Sequence, residues 1–134
     1  MAFSAILKKS NPGGLWVKKQ FRLRKRSDFN YTYRKGKSLA NYCLVLIYRK
    51  TNDKVTRVGF SISKKFGSAV KRNRIKRQLR EIYASKINNI KAGYDLIFVV
   101  RKGAKDADFH RLKNQMENLL NRAGLLENQD KESS

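Results

Sequence analysis

The chain has little of what small enzymes use for chemistry. Its 134 residues hold one cysteine, Cys43, one histidine, His110, and one proline, Pro12. A single thiol builds no disulfide framework and fits a reducing cytoplasm. One thiol with one imidazole builds no His/Cys zinc site. Acids number ten and are scattered: Asp28, Asp53, Glu81, Asp95, Asp106, Asp108, Glu117, Glu127, Asp130 and Glu132. A metal-dependent nuclease needs clustered carboxylates for its hard cations. His110 has no evident nucleophile beside it, and Gly67-Ser68-Ala69-Val70-Lys71 lacks the spacing of a phosphate-binding loop. No apolar run approaches the length of a membrane span, and the opening MAFSAILKKSNPGG has too short an apolar stretch for a secretory signal. The expectation is a cytoplasmic protein that neither enters a membrane nor carries its own catalytic or metal-binding residues.

Positive charge is abundant. Lys and Arg number 32, giving a net charge of +22. Self-repulsion at that charge opposes folding, so it serves a partner. Phosphate backbones fit best, because neutralising them releases condensed counterions. A membrane surface would require an amphipathic helix with exposed apolar residues or a lipid anchor; here the apolar residues are committed to a core. The charge peaks in KKFGSAVKRNRIKRQLR, residues 64–80, with eight cations and no acid. Ser68 is placed as an N-cap there, and the positive end of a helix disfavours Lys71, Arg72 and Arg74 by roughly 0.3–1 kcal/mol each. A polyanion compensates for such a mismatch.

The remaining pattern predicts one domain. Residues 1–20 read as a flexible extension with Trp16 as a docking point, residues 21–124 as the domain, and residues 125–134 as a disordered tail. Ser27 is read as the cap of a short helix over Asp28–Lys35, closed by Gly36. Tyr42–Arg49 and Val55–Ser63 read as strands that pair in an antiparallel hairpin, with Gly59 marking a bulge or a close backbone approach. A long helix over about Ser68–Asn88 carries a core stripe of Ile75, Leu79 and Ile82, with Tyr83 at its edge. Tyr94–Val100 reads as a buried strand, so strand, helix and strand imply a parallel crossover. Asp95, entering that apolar strand, suits a structural salt bridge. Asp108 is expected to cap a final helix to about Arg122, ended by Gly124. Phe29 and Tyr33 stand four apart on one helix face. They either pack the helix on the sheet or form a shelf for unpaired bases, with Arg22, Arg24, Lys25 and Arg26 just upstream.

KRNRIKRQLRE at Lys71–Glu81, preceded by VGFSISKKFGSAV at Val58–Val70, closely resembles the signature of the bacterial ribonuclease P protein subunit. SDFNYTYRKGKS at Ser27–Ser38 and GYDLIFVVRKGA at Gly93–Ala104 are similar to that family's first helix and last strand. The resemblance covers about residues 21–122. It implies an α+β domain of αβββαβα order, whose mixed four-stranded sheet packs with three helices. It also implies a fourth strand near Lys37–Asn41 and a left-handed crossover, where general rules favour the right-handed one. It implies a protein that binds a catalytic RNA through Lys64, Lys65, Arg72, Asn73, Arg74, Lys76, Arg77 and Arg80. Arg22, Arg24, Phe29 and Tyr33 are placed at the 5′ leader of precursor transfer RNA. The RNA, with Mg²⁺ bound mainly by RNA and substrate, removes that leader, and one protein joins one ribonuclease P RNA. A sheet aromatic present in some relatives falls at Ile47 here, with Tyr48 on the other face. Two readings from other classes are a general or ribosomal RNA-binding protein and an autonomous ribonuclease. DNA binding is disfavoured, because only one helix is strongly basic.

Overall fold

The computed structural model describes residues 17–127. Helix α1 spans Arg26–Lys35, strands β1, β2 and β3 span Lys37–Ala40, Leu44–Lys50 and Arg57–Ser61, helix α2 spans Ala69–Lys86, strand β4 spans Tyr94–Val100 and helix α3 spans Phe109–Arg122. Two caps fall where the sequence puts them. The Ser68 hydroxyl accepts the Lys71 N–H at the start of α2, and the Asp108 carboxylate accepts the Arg111 N–H at the start of α3. The cap at α1 differs. The helix begins at Arg26 on an extended Lys25, with no side-chain cap. Ser27 lies inside its first turn, where Asp28 still complements the helix dipole. Gly124, at φ +73°, closes α3.

The sheet order is β1-β2-β4-β3. β1 pairs antiparallel with β2, β2 antiparallel with β4, and β3 parallel with β4. The hairpin expected between β2 and β3 is therefore absent, because β4 inserts between them. Two physical reasons stand out. β4 is apolar over nearly its whole length and buries both faces, which suits a central strand, whereas β3 alternates and lies at the edge. Asp95 of β4 also stands opposite Arg49 of β2 and Arg57 of β3. A hairpin would leave that carboxylate without one of its two cations.

Each sheet face has its own cover. Leu44, Leu46, Leu96, Phe98 and Val58 meet α2 and α3 in the main core. The opposite face presents Ile47 and Ile97 to Leu23 and α1 in a smaller cluster. Tyr83 is fully buried rather than at the stripe's edge. It packs edge-on against Phe60 and Phe98, and burial pushes its phenol pKa upward. Lys86 of α2 pairs with Glu117 of α3. The ordered fold also extends past both expected boundaries. Val17 is buried in the main core, Leu125 is fully buried, and Leu126 bridges to Ile90. Trp16 and residues 128–134 lie outside the described residues.

Candidate nucleic-acid interface

The apolar stripe of Ile75, Leu79, Ile82 and Tyr83 seats α2 on the core, so the residues between them face outward. Asn73, Arg74 and Arg77 are exposed, while Lys76 and Arg80 are half-buried. The first turn of α2 contains no acid. In front of it, a short 3-10 turn at Lys64–Phe66 is pinned by buried Phe66 and by Ser63, whose hydroxyl accepts the Lys65 N–H. This arrangement leaves Lys64 and Lys65 exposed. Arg72 behaves differently from its neighbours. Its guanidinium donates to the carbonyls of Gly67 at 3.2 Å and Lys64 at 3.4 Å, so it holds the basic loop in place. Lys65, Lys71 and Arg74 wall a groove of about 760 Å³ that Lys105 closes from the other side. Lys71 belongs to the charged run, but nothing in the sequence pattern points to Lys105. Lys105 lies outside the charged run, and only the fold brings it there.

A second surface lies between α1 and the sheet. Phe29 and Tyr33 stand with ring centroids 6.4 Å apart, tilted by 38°. Phe29 is half-buried against Leu23, Ile47 and Ile97. Its ring lies directly on Gly59, where a Cβ would come within 2.3 Å of Cζ. The close approach expected at Gly59 is thus a phenylalanine ring. Tyr33 is 42% exposed. Ile47 faces α1 and Tyr48 the main core, as the sequence alternation requires. Phe29 therefore packs the helix on the sheet, while Tyr33 beside it stays exposed.

The two surfaces meet. The segment before α1 runs beside β3, with the Leu23 N–H donating to the Val58 carbonyl at 2.8 Å. This places Arg22 and Arg24 in a groove with Phe29, Gly59 and, from α2, Arg80. Burial and the nearby Arg22 cation push the Arg80 pKa down. Arg22 Nε is buried without a hydrogen-bond partner among the described residues. A second cation beside Arg80 in the same groove favours an anion between them. The sequence puts them in separate groups, and no spacing rule links residues 58 apart.

An ion network ties α1 to the sheet. The Asp95 carboxylate, 1% exposed, accepts hydrogen bonds from Arg49 at 2.9 Å and from Arg57 at 3.0 and 2.9 Å. Arg57 also donates to Asp28 of α1 at 3.3 Å. The hydrogen bond to Asp95 leads the causes that raise the Arg57 pKa. Among the described residues no three His, Cys, Asp or Glu side chains gather in one place. Among the described residues the donor set does not fit a Mg²⁺ ion held by protein alone.

The chain resembles known proteins over almost all of the described residues. The family model described as Ribonuclease P matches residues 17–124. A ribonuclease P protein component of Clostridium novyi (strain NT) is 46% identical over 111 residues, which cover 81% of this chain and 98% of that protein. One from Oceanobacillus iheyensis is 40% identical, covering 84% and 93%. Among solved structures, the RNase P protein of Staphylococcus aureus superposes with a TM-score of 0.75 at 36% identity, covering 79% of this chain and 97% of that one. The RNase P protein of Thermotoga maritima superposes with a TM-score of 0.71 at 36% identity, covering 75% and 96%.

Proposed function

This chain belongs to the ribonuclease P protein family, and from that premise we propose how its two basic surfaces divide the work. It is the protein component of a ribonucleoprotein endoribonuclease that matures the 5′ ends of transfer RNAs, with the RNA subunit as catalyst. The α2 surface and its preceding loop bind the RNA subunit through Lys64, Lys65, Asn73, Arg74, Lys76 and Arg77, while Arg72 shapes the loop. The cleft between α1 and the sheet receives the single-stranded leader of precursor transfer RNA, with Tyr33 and the half-buried Phe29 stacking on bases and Arg24 on the backbone. Stacking and backbone charge tolerate many leader sequences.

One observation carries this reading: Arg22 and Arg80 line the same groove, so the two surfaces adjoin. A protein that spans catalytic RNA and substrate offsets the repulsion between two polyanions, which lowers the Mg²⁺ they need. The Mg²⁺ ions reside on RNA, one protein joins one RNA subunit, and the complex works in the cytoplasm. The test is reconstituted cleavage at low millimolar Mg²⁺, using ribonuclease P RNA and precursor transfer RNA with and without this protein. Leader removal should require both components, and the assembled enzyme should bind leader-bearing substrate more tightly than mature transfer RNA. Equal affinity for the two would remove the leader cleft, and no rescue of cleavage with a closely matched RNA would leave general RNA binding.

A further inference from the structure

Tyr42 is 64% exposed and lines neither groove. It sits just before β2, at the end of the sheet away from Asp95. The turn that carries it is held from several sides. Asn41 Nδ2 donates to the Gln115 carbonyl at 2.9 Å, and Asn41 Oδ1 accepts the Leu44 N–H at 3.0 Å. Gln115 Oε1 accepts the Cys43 N–H at 2.9 Å. Arg101 donates to the Asn41 carbonyl at 2.7 Å, and Arg122 to the Ala40 carbonyl at 3.0 Å. The tyrosine ring lies on Gly103, where a Cβ would come within 2.6 Å of it. The Arg111 guanidinium stands 5.6 Å from the ring centroid. The fold thus fixes this ring without enclosing it, and it surrounds the turn with Arg101, Arg111 and Arg122, all exposed. Asp108 lies one turn before Arg111, but its carboxylate is engaged in capping α3.

We propose that Tyr42 is a third RNA contact: a rigid platform on which one unpaired base stacks, with Arg111 beside the ring and Arg101 and Arg122 toward the adjoining phosphates. A pre-set aromatic face loses little freedom on stacking, and every base has a face to offer. The cation held near the ring strengthens the contact through the ring quadrupole. The inference rests on the chain working with RNA, not on the leader cleft. The base belongs either to the RNA subunit or to the substrate.

The test uses the full chain with Tyr42→Leu, Tyr42→Phe and Arg111→Gln, and Phe29→Ala as the cleft reference. Affinity is measured for ribonuclease P RNA alone and for precursor transfer RNA on the assembled enzyme, beside melting temperatures. Tyr42→Leu keeps Gly103 covered and should weaken one of the two affinities roughly 5- to 150-fold, the size of one lost base stack. Its salt dependence should not change, and Tyr42→Phe should match the wild type. Loss with the RNA subunit assigns the base there; loss only with precursor assigns it to substrate. Wild-type affinity for both overturns the platform, whatever Phe29→Ala does. If Tyr42→Leu lowers the melting temperature, Arg111→Gln, which lies outside the turn, decides. A weakened affinity supports the platform, and an unchanged one overturns it.

Discussion

Arginine does opposite things in two parts of this molecule. On β2 and β3, Arg49 and Arg57 close on the buried Asp95 carboxylate and tie in Asp28 of α1. On α2, Arg74 and Arg77 are exposed, with no acid in the first turn. The residue type is the same and the surroundings decide its role. A guanidinium facing a buried carboxylate completes the fold, because the carboxylate without it would be a stranded charge. A guanidinium among other cations on a helix surface adds repulsion to the free protein and gains its partner on binding. Arg72 departs from its exposed neighbours on α2, because its guanidinium braces the loop that precedes the helix.

That ordering can be broken by measuring unfolding and RNA affinity on the same variants. Asp95→Ala should cost the most stability, about 3 kcal/mol, the low end for a broken buried pair because both guanidinium groups reach solvent. Urea unfolding reports it, and a loss below about 1 kcal/mol would put the network on a par with surface pairs. Phe29→Ala should cost about 2 kcal/mol for a half-buried ring, and the folded fraction should lose its preference for leader-bearing substrate. A stability loss with that preference intact would make Phe29 purely a packing residue. Arg72→Ala should cost about 1 kcal/mol through two lost hydrogen bonds and weaken RNA binding by loosening the Lys64–Lys65 loop. Arg74→Ala should change stability by less than about 0.5 kcal/mol while lowering the slope of log affinity against log salt by about one. An unchanged slope would take Arg74 out of the phosphate contacts.

Features that depend on neighbours in sequence were legible. Ser68 and Asp108 cap their helices because the N-cap needs only a side chain and the next turn. The β4 boundaries and the core stripe of α2 follow from apolar pattern, and Asp95 in an apolar strand announces its ion pairs. Ser27 misled because the helix starts two residues before Asp28, with no side-chain cap. The β2–β3 hairpin misled because adjacency in sequence was taken as adjacency in the sheet, and the six-residue connection between β2 and β3 leaves room for a strand between them. Leu125 and Leu126 fall by sequence in the disordered tail of residues 125–134, yet they meet the loop after α2. At the interface, the charged run was plain, but its internal division was not. That Arg72 braces a loop, that Gly59 makes room for Phe29, and that Arg22 meets Arg80 are all contacts between distant segments.

The insertion of β4 between β2 and β3 also dictates when the protein can take shape during synthesis. β1 and β2 can pair as soon as they emerge, but β3 has no partner until residues 94–100 follow, and α2 lacks much of the sheet beneath it until then. Both basic surfaces therefore take shape together and late, after the whole charged run has emerged. A nascent chain stalled between α2 and β4 already carries the whole charged run of residues 64–80 but lacks the strand that completes the sheet beneath it. The long-range pairing that closes the sheet is slow to form by its nature, so the interval before β4 arrives is when this chain is least discriminating.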